Sequence, residues 1–318
     1  MRKYYTTGIP PLVLLLFFFC VGFPAYTQTS GIAYAIIPEN PLPGEPVTIG
    51  LNANIAQGIK YAVLYSSGNK RLARASFFRL AVEAEKPPIL AALIAVPATA
   101  NAGFAYINIE SDFGKIMEIP LVIKERQFNS EVIDLNDTLT GIRVDPDPKK
   151  TAESEQLWAI LNKTGTEIYS TGAFKPPVTS TRRTSFFGDR RVYKYSSGKT
   201  DSSIHAGIDY GVPTGTPVTA CAAGKIVLAR HRIVTGNSVI IEHAPGIYSL
   251  YYHLNKILVN ENTVIPQGVK IGEVGATGLA TGPHLHWEIR VSGENSDPDA
   301  LIQRSLLDKE AILAKIGN

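Results

Sequence analysis

Two histidines one residue apart, His284 and His286, close the glycine-bounded run Gly278-Leu279-Ala280-Thr281-Gly282-Pro283. In an extended strand alternate side chains share a face, so both imidazoles point one way while Leu285 and Trp287 point the other. Imidazoles paired at this spacing suit zinc, which takes nitrogen, sulfur and carboxylate ligands. Upstream, His205-Ala206-Gly207-Ile208-Asp209 sets an imidazole and a carboxylate four residues apart, on one face of an extended chain. Gly207 between them leaves room for something to approach. Tyr251-Tyr252-His253-Leu254 places Tyr251 and His253 on another common face.

A hydrolytic zinc site needs three protein ligands, a fourth position for water, a group that handles the proton, and donors for the developing oxyanion. His205, Asp209 and one of His284 and His286 meet the first need, and His253 with the other histidine meets the rest. The spacing leaves open which member of the pair binds. No His-Glu-x-x-His helix and no Gly-x-Ser-x-Gly elbow occurs, which excludes those two common hydrolase layouts.

The elements that must position these groups read as mainly β. From 30 to 124, runs such as Val47–Leu51, Tyr61–Tyr65, Ile89–Val96 and Phe104–Ile109 alternate with turn residues, which predicts an immunoglobulin-like β-sandwich serving as spacer or binding module. Residues 125–177 form a connector, with Thr151 capping one helix to about Lys163 and Leu157, Trp158 and Leu161 as its apolar stripe. Residues 178–298 are β-rich and glycine-dense, a second β domain, and 299–318 read as a C-terminal amphipathic helix. At the other end Arg2 and Lys3 precede an apolar run from Pro11 to Val21 and a small-residue exit, a secretory signal peptide spanning 1–27. Its removal leaves Cys221 as the lone cysteine, a small buried hydrophobe, so no intramolecular disulfide staples the exported protein. With 45% hydrophobic and 19% charged residues and a net charge of +3, the chain is globular, and the mild charge argues against a dedicated nucleic-acid binder.

Read together, Thr184-Ser185-Phe186-Phe187-Gly188-Asp189-Arg190-Arg191, His205 to Asp209, Gly215-Thr216-Pro217-Val218, Gly224-Lys225-Ile226-Val227, Gly236 to His243, Tyr251 to Leu254 and Gly275 to His286 resemble the lysostaphin-like M23 metallopeptidases, over about Phe174 to Pro298. The resemblance implies a compact antiparallel β peptidase domain and an endopeptidase that cuts peptide cross-links of peptidoglycan in the periplasm or cell envelope. It further implies one zinc ion held by His205, Asp209 and His286, with His253 and His284 as the non-ligating catalytic histidines. Asn237 and Tyr251 are the weaker substrate-binding candidates, His243 a structural residue and His231 an exposed loop residue. The family's glycines after His243 and before Ile265 are replaced by Ala244-Pro245 and Asn262; asparagine tolerates the left-handed backbone such a turn needs. The basic cluster Arg182, Arg183, Arg190, Arg191 and Lys194 reads as solvated surface. The alternative function is a non-catalytic cell-wall-binding or hydrolase-activating module; the complete set of ligands and catalytic histidines favours the enzyme.

Overall fold

Eight strands between Tyr34 and Ile123 stack as two four-stranded antiparallel sheets. They are seen in a computed structural model that describes residues 32–317 apart from 55, 84, 85 and 164. The signal-peptide reading, with Cys20, lies outside the described residues. One sheet runs in the order Tyr34–Ile37, Pro46–Asn52, Ile89–Ala95, Phe78–Leu80, the other Arg71–Ser76, Ile59–Ser66, Gly103–Ser111, Gly114–Ile123. Val47, Ile49, Leu51, Leu90, Ala92 and Ile94 meet Leu64, Ile107, Ile109 and Ile119 between the sheets.

The strand Ile89–Ala95 is buried along its whole length. Its even-numbered side chains fill the sandwich, while Ile89, Ala91, Leu93 and Ala95 turn outward into a second core shared with the C-terminal half. A strand apolar at every position is what two-sided burial requires. The sandwich is therefore not a tethered spacer, since one of its sheets is a wall of the neighbouring core. The helix Lys309–Ile316 seals the same junction: a β-carbon on Gly50 would stand 2.3 Å from Ile312 Cγ2, so the helix sits against bare backbone.

Downstream lies a ten-stranded sheet in which every recorded pairing is antiparallel. Its main path runs Arg183–Ser185, Gly207–Tyr210, Leu285–Val291, Ile247–Ile257, Gly236–Ala244, Gly224–Arg232, Val264–Ile265. The register places Asp209 opposite His286 and Tyr252 opposite His286 on the other side, so three distant segments converge on one histidine.

The connector differs from expectation. It holds two helices, Asp137–Val144 and Pro148–Leu161, capped by Asn136 and Asp147 rather than by Thr151. Proline is at home in a helix's first turn, where the missing N–H costs nothing, and Asp147 just before it accepts from Lys149 N–H. Leu157, Ile160 and Leu161 make the packed stripe against Leu228, Ile240 and Tyr248, whereas Trp158 stays outside, 47% exposed. A strand not foreseen, Ser130–Asp134, pairs in parallel with Arg190–Lys194, which hydrogen-bonds to Thr200–Ile204 on its other edge. At the C-terminus the single expected helix is two, Pro298–Gln303 and Lys309–Ile316. Arg304 is extended, and Asp308 starts the second helix as an N-cap on Ala311 N–H. Among the described residues no helix is long and apolar enough to cross a membrane.

Candidate metal centre and its groove

His205 falls in a two-residue break between Thr200–Ile204 and Gly207–Tyr210, not on one strand with Asp209 as the spacing suggested. The two still converge: His205 Nε2 is 3.2 Å from Asp209 Oδ1. His286, on Leu285–Val291, brings its Nδ1 to 2.7 Å from the same oxygen and 3.0 Å from His205 Nε2. These three residues form the one group of potential metal ligands found among the described residues, and all are buried. A tetrahedral ion bound at about 2.0–2.1 Å spaces its ligand atoms by roughly 3.3 Å, close to the separations here. Two imidazoles and a carboxylate whose donor atoms converge at these separations, on residues that line a cavity, fit a catalytic metal ion.

Hydrogen bonds on the far side of each ring select the nitrogen presented to the ion. A carbonyl only accepts, so His205 Nδ1–H donates to Phe186 O at 2.8 Å and leaves Nε2 bare. His286 Nε2–H donates to Glu288 Oε1 at 2.9 Å, which leaves Nδ1 to face Asp209 Oδ1 and His205. Glu288 is itself held by Arg290 at 2.8 and 3.0 Å. Burial opposes the charged form of His286, but Asp209 and then Glu288 outweigh it and lift the pKa to about 9. Burial likewise opposes the Asp209 carboxylate, yet His286 and His205 hold it well below the usual range. The Tyr252 ring lies parallel to His286 at 5.6 Å between centroids and fixes the imidazole plane.

His253 and His284 stand beside this cluster, their rings 4.8 Å apart. Each donates Nδ1–H to a backbone carbonyl, His253 to Thr277 O at 2.8 Å and His284 to Gly282 O at 2.9 Å. Each thus has Nδ1 held by the backbone while the ring lines the cavity, and His284 Nε2 comes within 3.9 Å of Asp209 Oδ1. Burial first, then the neighbouring imidazoles, push the His253 pKa down to about 3. Its backbone is left-handed, φ +62°, a conformation that costs a side-chain-bearing residue about 1–3 kcal/mol. Its N–H donates to Thr235 O at 2.9 Å, which holds the kink.

That kink decides the fate of two other candidates. Because strand alternation stops at His253, Tyr251 does not share its face. Tyr251 is fully buried in the core, where its hydroxyl accepts from Cys221 N–H at 2.9 Å and lies 3.0 Å from Ser249 Oγ. Tyr251, expected as a substrate-binding candidate, is thus sealed away from the groove, and Tyr252 lines it instead. Asn237 spends its amide on Leu254 O (3.0 Å) and Asn255 O (3.2 Å) and accepts at Oδ1 from the His231 ring, so it holds the backbone beyond His253 rather than a ligand. His231 is exposed, but on the strand Gly224–Arg232 rather than in a loop.

The groove itself has a volume of about 520 Å³. It is lined by His205, Asp209 and His286, by Leu279, Pro283 and His284, and by Ile133, Leu135 and Arg143 of the connector. Most of the basic cluster is locked rather than solvated. Arg183 grips Asp299, Arg190 stacks on Phe128 with its centre 4.5 Å from the ring, and Arg191 is bonded to Asp209 and Glu131. Tyr252, Glu288, Arg191 and Glu131 are the site residues that sequence reasoning missed. Glu288 carried a signal, since alternation from His284 through His286 continues to it. The others carried none, because their partners are distant in the chain.

Comparison with known proteins places this geometry. Residues 203–298 match the model of peptidase family M23. Over 173 residues the chain is 32% identical to peptidoglycan DD-endopeptidase ShyA of Vibrio cholerae, covering 54% of this chain and 40% of that one. Over 135 residues it is 40% identical to DD-carboxypeptidase/endopeptidase Mpg of Neisseria meningitidis, covering 42% of this chain and 30% of the other. The chain thus spans less than half the length of these curated relatives. A crystal structure from Pseudomonas aeruginosa, titled as peptidase M23, shares the fold over 82% of this chain and 94% of its own, with a TM-score of 0.57 and 23% identity.

Proposed function

We propose, from the premise that residues 203–298 are a domain of peptidase family M23, that the protein is an exported zinc endopeptidase that hydrolyses peptide cross-links of peptidoglycan. The observation that carries this reading is the convergence of His205 Nε2, Asp209 Oδ1 and His286 Nδ1 at a cavity that His253 and His284 also line, each with Nδ1 held by a backbone carbonyl. The names of the relatives supply the substrate class: one is a peptidoglycan DD-endopeptidase, the other a DD-carboxypeptidase/endopeptidase. The basic and apolar start of the chain supplies export.

His205, Asp209 and His286 would hold the ion, which when bound supplies a Lewis acid for the scissile carbonyl and a water acidified toward neutral pH. The remaining work falls to this chain's own groups. An unprotonated Nε2 accepts a proton, so one of His253 and His284 takes the proton of the attacking water at that atom. Once charged it donates at the same atom, to the developing oxyanion or to the leaving amine. The carbonyl partners Thr277 O and Gly282 O keep Nδ1 protonated throughout, so neither ring has to turn over between steps. Tyr252 and the Leu279–Pro283 wall enclose the groove and limit competing water around the reacting centre.

The test is release of soluble muropeptides from purified sacculi by the mature protein. Release is expected from the wild type with zinc, and none from a chelated sample or from His286→Ala. Equal release in all three samples would refute the zinc-peptidase reading.

A further inference from the structure

Glu131 lies in the connector strand Ser130–Asp134, outside the segment matched to the peptidase family, yet it is wired to the metal cluster by two routes. The parallel register sets Glu131 beside Arg191. Along the first route Arg191 Nε donates to Glu131 Oε1 and Arg191 Nη2 donates to Asp209 Oδ2, both at 2.5 Å. The guanidinium thereby takes the one carboxylate oxygen of Asp209 that faces away from the histidines, which leaves Oδ1 aimed at His205 and His286. Along the second route Ser185 Oγ–H donates to the same Glu131 oxygen at 2.8 Å. The Ser185 oxygen then stands 3.2 Å from His205 Nδ1, beside the Phe186 carbonyl that already takes its proton.

The side chains of Arg191 and Asp209 are 12% and 8% exposed and that of Glu131 30%, so these bonds are little diluted by solvent. A planar guanidinium that bridges two carboxylates holds both in fixed directions, which an ammonium on a flexible stem does not. Without the Glu131 carboxylate, Arg191 Nε loses its acceptor, and the Ser185 hydroxyl turns to Asp189 Oδ2 at 3.2 Å. Both changes loosen groups that orient a metal ligand.

We propose that Glu131 is a positioning residue of the metal centre, which makes the connector strand a working part of the site. It acts through Arg191 on Asp209 and through Ser185 on His205, two of the three ligands. The inference rests on the metal-centre reading above. Partners that orient metal ligands are typically worth 10- to 100-fold in affinity.

The experiment compares zinc affinity in wild type, Glu131→Ala, Ser185→Ala and His286→Ala, by competition against a chromogenic chelator, with melting of each metal-free protein. Visible spectra of the cobalt(II) forms report ligand geometry. Glu131→Ala, which removes the oxygen both routes share, is expected to weaken zinc binding about 10- to 100-fold and to shift the cobalt bands, while its metal-free melting temperature stays near wild type. Ser185→Ala, which leaves the Arg191 route intact, is expected to show a smaller loss. A Glu131→Ala protein with wild-type affinity and cobalt spectrum overturns the proposal, as does an affinity loss matched by an equally large loss of metal-free stability. If Glu131→Ala does not fold, Ser185→Ala decides, and wild-type affinity there overturns it. Wild type that binds no more zinc than His286→Ala instead refutes the metal-centre reading, a separate failure.

Discussion

An imidazole offers two nitrogens, and the partner of one dictates the use of the other. At His286 that partner is the Glu288 carboxylate and at His284 it is the Gly282 carbonyl, so neighbours two residues apart present opposite nitrogens, and the proposed function assigns them different work. The assignment predicts separable losses. His253→Ala and His284→Ala are expected to lower muropeptide release by 100-fold or more, the order of general acid–base effects, with zinc stoichiometry kept at one. His286→Ala is expected to lose bound zinc and activity together. Metal analysis of the purified variants checks this, and loss of zinc from His284→Ala would show that the roles had been exchanged. The pair was legible from alternation alone. The division of labour needed the family resemblance at the level of sequence, because the acceptors that impose it come from the fold.

Among the elements, the strand Leu285–Val291 is held between Gly207–Tyr210 and Ile247–Ile257, with Trp287 wholly buried behind the histidine face. Gly207 makes this approach feasible. A β-carbon there would lie 2.1 Å from Trp287 O and 3.0 Å from Glu288 Cα, and backbone cannot swing aside as a side chain can. Gly207→Ala is therefore expected to cost more than about 2 kcal/mol in urea unfolding and to abolish zinc binding, because the strand carrying Asp209 must part from the one carrying His286. A variant with wild-type stability and zinc affinity would contradict the close packing. Glycine between His205 and Asp209 was read as leaving room for something to approach, and what approaches is a neighbouring strand. The strand bounds around the site were largely visible as alternation, but the parallel strand Ser130–Asp134 was not. Its alternating exposed and half-buried residues have no apolar face to announce it, and its partner lies about 60 residues on.

Across the whole molecule, a continuous core joins one sheet of the sandwich to the ten-stranded sheet and the C-terminal helices. His243 is buried within this half, its Nδ1–H donated to Ala223 O at 2.8 Å and its Nε2 2.7 Å from Ser249 Oγ. Burial pushes its pKa down to about 4. The unfolded chain, with a value near 6.5, takes up the proton first. This contribution to stability is complete above pH 6.5 and is lost as pH falls from there through about 4, by at most about 3 kcal/mol. His243→Gln is expected to be less stable at neutral pH yet to lose stability less steeply between pH 6.5 and 4. Urea midpoints at several pH values measure it, and parallel slopes would count against the mechanism.

What the sequence by itself determined is local. Alternation put His284 and His286 on one face, and types and spacing nominated His205, Asp209 and His253. The tertiary structure decided what depends on contacts between distant segments. It set Tyr252 rather than Tyr251 in the groove through a left-handed residue, and drew Arg191 out of a seemingly solvated cluster onto Asp209. It also brought a connector strand to the metal ligands. Period and composition record which way a side chain leaves its own strand, whereas what it meets there is fixed by pairings across 60 to 80 residues that no local pattern encodes.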